Sequence, residues 1–144
     1  MLVLLPALLV VPGFLALLGR GQTATAAPAV VNVTIYASAD TYVDNGDPTQ
    51  NFGNSTTIDV GACWEFTTAQ IGLISFNLST IPSGAVIHSA ELRLYKVPGG
   101  STLAATVQVH RVTASWNEYS VTWNTRPTYD ATPVASTSVA APAT

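Results

Sequence analysis

Arg93, Tyr95, Gln108 and His110 are the side chains whose types and spacing best suit recognition of a ligand. Each pair is spaced by two residues, the period at which strand side chains share a face. A planar guanidinium grips carboxylates or paired hydroxyls, a phenol offers an apolar ring with a polar tip, and amide and imidazole edges donate and accept. If the two strands pair as a hairpin across the 98–104 loop, with Lys96 opposite Ala105, Arg93 lies near Gln108 and Glu91 near His110. Arg93, Tyr95, Gln108 and His110 then form one polar face. The alternative is an ordinary solvated sheet face whose cross-strand ion pair has little energetic weight. Trp64, in the turn Gly61-Ala62-Cys63-Trp64-Glu65, is a further candidate platform.

Covalent chemistry has little to work with. The chain contains no Gly-x-Ser-x-Gly, no His-Glu-x-x-His and no phosphate-cradling glycine loop. Two carboxylates can hydrolyse a glycosidic bond, but the acids here fall mostly in turns. No catalytic residue is assigned, and the chain is not expected to be an enzyme. His88 reads as a structural histidine. Asp40, Asp44, Asn45 and Asp47 make an oxygen-rich stretch of the kind calcium prefers. Its spacing is not that of an EF-hand, and turn-forming chemistry accounts for the same residues without metal. Calcium is therefore an optional ion, with Asp40, Asp44 and Asp47 as its ligands, and no other cofactor is expected. Cys63 is the only cysteine, so no internal disulfide forms and no zinc spacing exists. Sequons at Asn32, Asn54 and Asn77 suit surface positions if the host glycosylates.

The chain has 144 residues, enough for one domain. Apolar residues make up 48% and charged residues 9% of the sequence, against roughly 25% charged in an ordinary soluble domain. Residues 1–18 are an almost continuous apolar run that contributes to this bias. A polar stretch and Ala24-Thr25-Ala26 follow, the order of a secretory signal peptide cut after Ala26. The first charge is Arg20, so the usual positive start is missing. The alternative is an uncleaved membrane anchor over residues 2–18, short for a span and interrupted by Pro6 and Pro12. Either way the remainder faces the outside of the cell. That remainder sets all eight acids of the chain against Arg93, Lys96, Arg111 and Arg126. Such an acidic balance excludes a nucleic-acid partner, which needs a basic footprint.

After residue 26 no helical period appears. Short alternating runs separated by turn signals predict strands over 30–37, 40–43, 57–61, 71–78, 85–97, 105–113 and 121–123. The run 85–97 alternates best, with Ala90, Leu92 and Leu94 inward and Glu91, Arg93 and Tyr95 outward. Asp44-Asn45-Gly46-Asp47-Pro48 and Ile81-Pro82-Ser83-Gly84 are turn clusters. This pattern predicts an all-β fold, an antiparallel β-sandwich of jelly-roll type. The domain plan is a signal peptide at 1–26, a sandwich module at 27–130, and a linker-like tail or the start of a further strand at 131–144.

Several motifs occur in a telling order: Ala39-Asp40-Thr41-Tyr42-Val43, Asn51-Phe52-Gly53, the run from Leu73 to Ala85, Ala90-Glu91-Leu92-Arg93-Leu94-Tyr95, Trp116-Asn117-Glu118, and Val121-Thr122-Trp123-Asn124. Together, from about residue 33 to 127, they resemble the DNRLRE domain family, also classed as carbohydrate-binding module family ninety-six. The resemblance implies a secreted, non-catalytic β-sandwich that binds extracellular polysaccharide and belongs to a larger glycan-active or surface protein. It also implies recognition of acidic polysaccharide such as alginate, although the acidic charge of this chain leans against polyanions. The chain departs from the family where Gln70 and Ser75 replace expected basic residues. It also lacks the closing strands that follow the Val-Thr-Trp-Asn motif. The expectation is thus a C-terminally incomplete sandwich that aggregates or folds only partly when expressed alone.

On this reading the Arg93–Tyr95–Gln108–His110 face holds the sugar, with Arg93 suited to a uronate carboxylate. Trp116 and Trp123 could serve as sugar platforms, but in a chain with so few aromatics a buried core role is favoured, above all for Trp123. The alternative function is a structural or adhesive spacer at the cell surface with no specific glycan.

Overall fold

The computed structural model describes residues 2–4, 7–13, 29–63, 68–97 and 104–140. Among them the chain forms ten strands: β1 (Leu2–Leu4), β2 (Ala7–Gly13), β3 (Ala29–Ile35), β4 (Ala37–Asp44), β5 (Gly61–Cys63), β6 (Thr68–Phe76), β7 (Ser89–Glu91), β8 (Leu94–Lys96), β9 (Ala105–Val109) and β10 (Ala135–Val139). Every pairing is antiparallel, and no helix occurs among the described residues. The all-β reading of the sequence therefore holds. Val is the commonest strand residue, one that fits a pleated, half-buried surface.

The strands form four short sheets, ordered β1-β8, β10-β9, β3-β2-β7 and β4-β6-β5. Strands β3 and β4 are nearly continuous but belong to different sheets. The chain changes sheet at the single non-strand residue Tyr36, which is exposed. Strands that cross between sheets at such a corner are a usual way of wrapping two layers around one interior.

Two small apolar clusters lie inside. One gathers Val33, Phe76, Ile81 and Ala85 around Ile35. The other gathers Ile71, Val112, Trp116 and Trp123 around the buried Val43, Leu73 and Val121. Strands β4 and β6 bring their members together through the register Thr41↔Leu73 and Val43↔Ile71. Trp116 and Trp123 are thus partly buried against the core, as their assignment requires.

Several turns form where the residue types predict them. Gly84 adopts φ +86°, and Ala85 N–H donates to the Pro82 carbonyl at 3.1 Å. A positive φ at the third residue of such a turn is why glycine stands there. At the Asp44–Pro48 turn, Gly46 N–H donates to Asp44 Oδ1 at 2.7 Å and Ala69 N–H donates to Asn45 Oδ1 at 2.7 Å.

The structure differs from expectation in four places. The run 85–97 is not one strand: only β7 and β8 are regular, and although Glu91, Arg93 and Tyr95 are exposed and Leu92 and Leu94 half-buried as the alternation demands, Ala90, expected inward, is exposed on β7. Residues 57–60 are not a strand, and β5 starts at Gly61 instead. Residues 121–123 lie in turns, with Val121 buried by core packing rather than by strand pairing. The predicted hairpin between the 85–97 and 105–113 runs does not form. Strand β8 pairs with β1, β7 pairs with β2, and β9 takes β10 as its partner in the register Gln108↔Ser136. Residues 135–139 are therefore a strand, and β9 pairs with it rather than with the 85–97 run.

Of the leader expected at 1–26, residues 2–4 and 7–13 are described, as β1 and β2. The cleavage site after Ala26 lies outside the described residues, as do Trp64 and the turn at 98–101. No described helix is long and apolar enough to cross a membrane.

Candidate functional site

Strand β9 and its extension carry the densest group of recognition-type side chains. Gln108 and His110 share a face, with His110 Nε2 3.4 Å from Gln108 Oε1. His110 Nδ1 donates to the Asp130 carbonyl at 2.8 Å. That bond fixes a proton on Nδ1 and leaves Nε2 to face Gln108 and solvent. The ring of Tyr129 meets His110 edge-on, centroids 5.3 Å apart, and Tyr129 is 48% exposed. Arg111 Nε donates to Asp130 Oδ2 at 2.8 Å.

The backbone builds this cluster by continuing the β9 pairing beyond Val109. Val112 bridges Tyr129, Thr113 N–H donates to the Thr128 carbonyl at 2.8 Å, and Asp130 N–H donates to the Arg111 carbonyl at 2.9 Å. Tyr129 and Arg111 were not among the sequence candidates. Tyr129 lies in an irregular segment with no alternating pattern to mark its orientation. Its position follows only from a pairing 17 residues away, Val112↔Tyr129.

Arg93 and Tyr95 are not joined to that group. Arg93 Nη2 pairs with Glu91 Oε2 at 3.0 Å on the same strand run, both side chains more than half exposed, and the Glu91 carboxylate raises the Arg93 pKa. Tyr95 is 49% exposed on β8. The expected neighbours Arg93–Gln108 and Glu91–His110 do not arise, because β10 lies along β9 instead. Lys96 Nζ reaches the Ala140 carbonyl at 3.2 Å, which places β8 beside the end of β10. Arg93 and Tyr95 therefore make a second polar patch, carried on a different sheet from Gln108 and His110.

Of the three aspartates assigned to calcium, Asp44 uses its carboxylate in local structure, while Asp40 and Asp47 bond through backbone groups. Asp44 caps its own turn through Oδ1 and accepts from Gln70 Nε2 at 2.8 Å through Oδ2. Asp47 offers its backbone carbonyl to Gln50 N–H at 3.0 Å. Asp40 N–H donates to Glu118 Oε1 at 3.1 Å. Burial, and then the Glu118 charge, raise the Asp40 carboxyl above its ordinary value. Among the described residues no three His, Cys, Asp or Glu side chains converge on one point where a metal ion would sit.

A third feature was missed by sequence reasoning. The 115–125 loop is anchored to the rest of the fold by residues that carried only the family resemblance. Asn51 Nδ2 donates to the carbonyls of Glu118 at 2.8 Å and Val121 at 2.7 Å, while its Oδ1 accepts from Gly53 N–H at 3.1 Å. Asn117 Oδ1 accepts from Tyr119 N–H at 3.0 Å. Asn124 N–H donates to the Pro48 carbonyl at 3.1 Å. Arg126 lies over the Trp123 ring, 4.1 Å from its centroid, and donates from Nη1 to the Trp123 carbonyl at 2.6 Å. The loop encloses an open depression of about 370 Å³.

These surfaces hold hydroxyls, amides, aromatic rings and three guanidinium groups, those of Arg93, Arg111 and Arg126, a repertoire suited to binding oxygen-rich ligands. Comparison with curated proteins and with solved structures gives no significant match. Residues 31–144, by contrast, match the family described as Carbohydrate-binding module family 96. The match takes in every strand from β4 to β10 and both motif groups that meet at Asn51 and Glu118. The chain belongs to carbohydrate-binding module family 96.

Proposed function

We propose that this protein is a secreted, non-catalytic module that binds extracellular polysaccharide through the face of β9 and residues 128–130. The observation that carries this reading is the His110–Tyr129 edge contact flanked by Gln108 and Arg111. A sugar ring stacks on an exposed aromatic while planar side chains beside it hold hydroxyls or a carboxylate. Arg93 and Tyr95 supply a second contact for a long chain, since a polysaccharide reaches patches on separate sheets. The module serves as the targeting part of a larger glycan-active or surface protein.

Affinity electrophoresis through gels containing single polysaccharides tests this directly. Retardation by at least one polysaccharide, reduced by Tyr129→Ala, is the expected result. No retardation by any member of a broad panel would favour the alternative, an adhesive or structural spacer without a specific glycan. Calcium is a separate reading that rests on Asp40, Asp44 and Asp47. A melting temperature raised by calcium in the wild type and not in Asp44→Ala would establish it.

A further inference from the structure

We propose that the depression in the 115–125 loop is a second saccharide subsite, selective for an uncharged sugar unit; this rests on the carbohydrate-binding reading above. The depression is lined by Ser115, Trp116, Asn117, Ser120, Val121 and Thr125. Its volume of about 370 Å³ falls near the lower end of the roughly 300–1,000 Å³ of small-ligand sites. That size suits one sugar ring rather than a longer oligosaccharide.

The lining has the composition such a ligand needs. Trp116 supplies aromatic surface, Val121 belongs to the buried core, and the three hydroxyls and the Asn117 amide offer hydrogen bonds beyond those that Asn117 Oδ1, Ser120 Oγ and Thr125 Oγ1 already make within the loop. No lining side chain carries a charge. The nearest carboxylate in sequence, Glu118, accepts from Asp40 N–H, and its charge raises the Tyr119 phenol. The guanidinium of Arg126 is held on Trp123. An acidic sugar would therefore meet no cation among the lining residues to offset the desolvation of its carboxylate, whereas a neutral sugar brings no charge to leave unpaired.

The loop is also held in shape before any ligand arrives. Asn51 ties its middle through two carbonyls, Gly53 packs against its backbone, and Val121 is only 3% exposed. A site fixed in this way loses little conformational freedom on binding.

Titration of the ¹⁵N-labelled protein, followed by NMR, tests the proposal. Cellohexaose and mannohexaose serve as neutral probes and an oligogalacturonate as the acidic probe. The expected result is a shift of the Trp116 indole N–H and of the Ser115, Asn117 and Ser120 amides with a neutral probe. Those shifts should weaken tenfold or more in apparent affinity in Ser115→Tyr, where the new ring fills the depression from its exposed rim. The wild-type titration decides the question even if that variant does not fold. Shifts confined to His110 and Tyr129 would overturn the subsite and leave the β9 face standing. Shifts in the loop alone would support the subsite and count against the β9 face. Tighter loop binding of the oligogalacturonate than of either neutral probe would overturn the proposed selectivity, and no shift with any probe would sink both readings.

Discussion

Gly53 and Glu118 are in backbone contact so close that no side chain fits between them: a Cβ at residue 53 would lie 2.8 Å from the Glu118 carbonyl carbon. The obstacle is main chain, which cannot swing aside as a flexible side chain can. The Asn51 amide locks the same point by donating to the Glu118 carbonyl. Gly53→Ala must therefore displace the 115–125 loop, at a cost of about 1–3 kcal/mol, typical of forced overpacking. Chemical denaturation would show this as a lower midpoint, with the Trp116 environment altered in the folded state. A midpoint equal to wild type would mean that the two segments separate without penalty.

Asn51 itself predicts a second effect. Its Nδ2 satisfies both the Glu118 and Val121 carbonyls. Asn51→Asp keeps the shape and replaces that donor with an acceptor. Two partly buried carbonyls then face a carboxylate, and the loss expected is about 1–3 kcal/mol for each group left unpaired. Equilibrium unfolding in urea measures it. A loss below that of Gly53→Ala would place the lock in the glycine contact rather than in the amide.

Asp40 predicts how stability depends on pH. Its carboxyl is raised above 3.8, first by burial and then by Glu118. The native state thus holds this proton more tightly than the unfolded chain does. The group therefore lowers stability at neutral pH, where it is ionised in both states. That penalty fades as pH falls through the folded value and is gone below the unfolded value of about 3.8. Asp40→Asn removes the charge while leaving the backbone bond to Glu118 in place. The variant should melt higher than wild type at pH 7, with the gap closing as the pH approaches 4. A gap that is absent at pH 7, or that widens in acid, would show that the Asp40 charge carries no such penalty.

What the sequence disclosed was mostly local. The exposed row Glu91, Arg93 and Tyr95, the glycine turn at Gly84 and the Asx-type turn at Asp44 each depend on neighbours within a few residues, and each formed as their types require. Partner choice was not local. Strand β9 takes β10 because residues 135–139 supply five paired positions along its edge, and nothing inside either segment marks the other as its mate. The consequence reached the site: Gln108 and His110 kept their common face, while Arg93 turned instead to Glu91, two residues away. Asn51, Gly53 and Glu118 were visible as motif residues. Their shared role becomes apparent only when segments 67 and 70 residues apart meet.

The proposed binding face can be tested without confusing it with stability. The Arg111–Asp130 pair is exposed, its Arg111 side chain 73% accessible, and pairs of this kind contribute about 0–1 kcal/mol to folding. Arg111→Ala and Tyr129→Ala should thus melt close to wild type. Each should weaken retention on the recognised polysaccharide by about tenfold, equivalent to ~1.4 kcal/mol. Arg93→Ala and Tyr95→Ala should weaken it less for short oligosaccharides than for the polymer, because their patch lies on a separate sheet. Equal losses on both ligands would mean that the two patches act as one site. Unchanged retention in all four variants would move binding away from both.

Residues 1–26, expected to be a cleaved leader, take part in the fold through β1 and β2. Strand β2 lies between β3 and β7, pairing Leu9 with Val33 on one side and with Ala90 on the other. Cleavage after Ala26, the proposed processing, removes β2 along with β1. Strands β3, β7 and β8 would then each present an unpaired edge. Hydrogen exchange should therefore quicken at Val31, Val33 and Ala90 in protein lacking residues 1–26, while β4 and β6, which pair with each other, keep their protection. Such open edges are also templates for association, so the processed form should self-associate as its concentration rises unless another strand covers them. Unchanged exchange at Val33 would show that β3 is held by its packing around Ile35 and does not rely on β2.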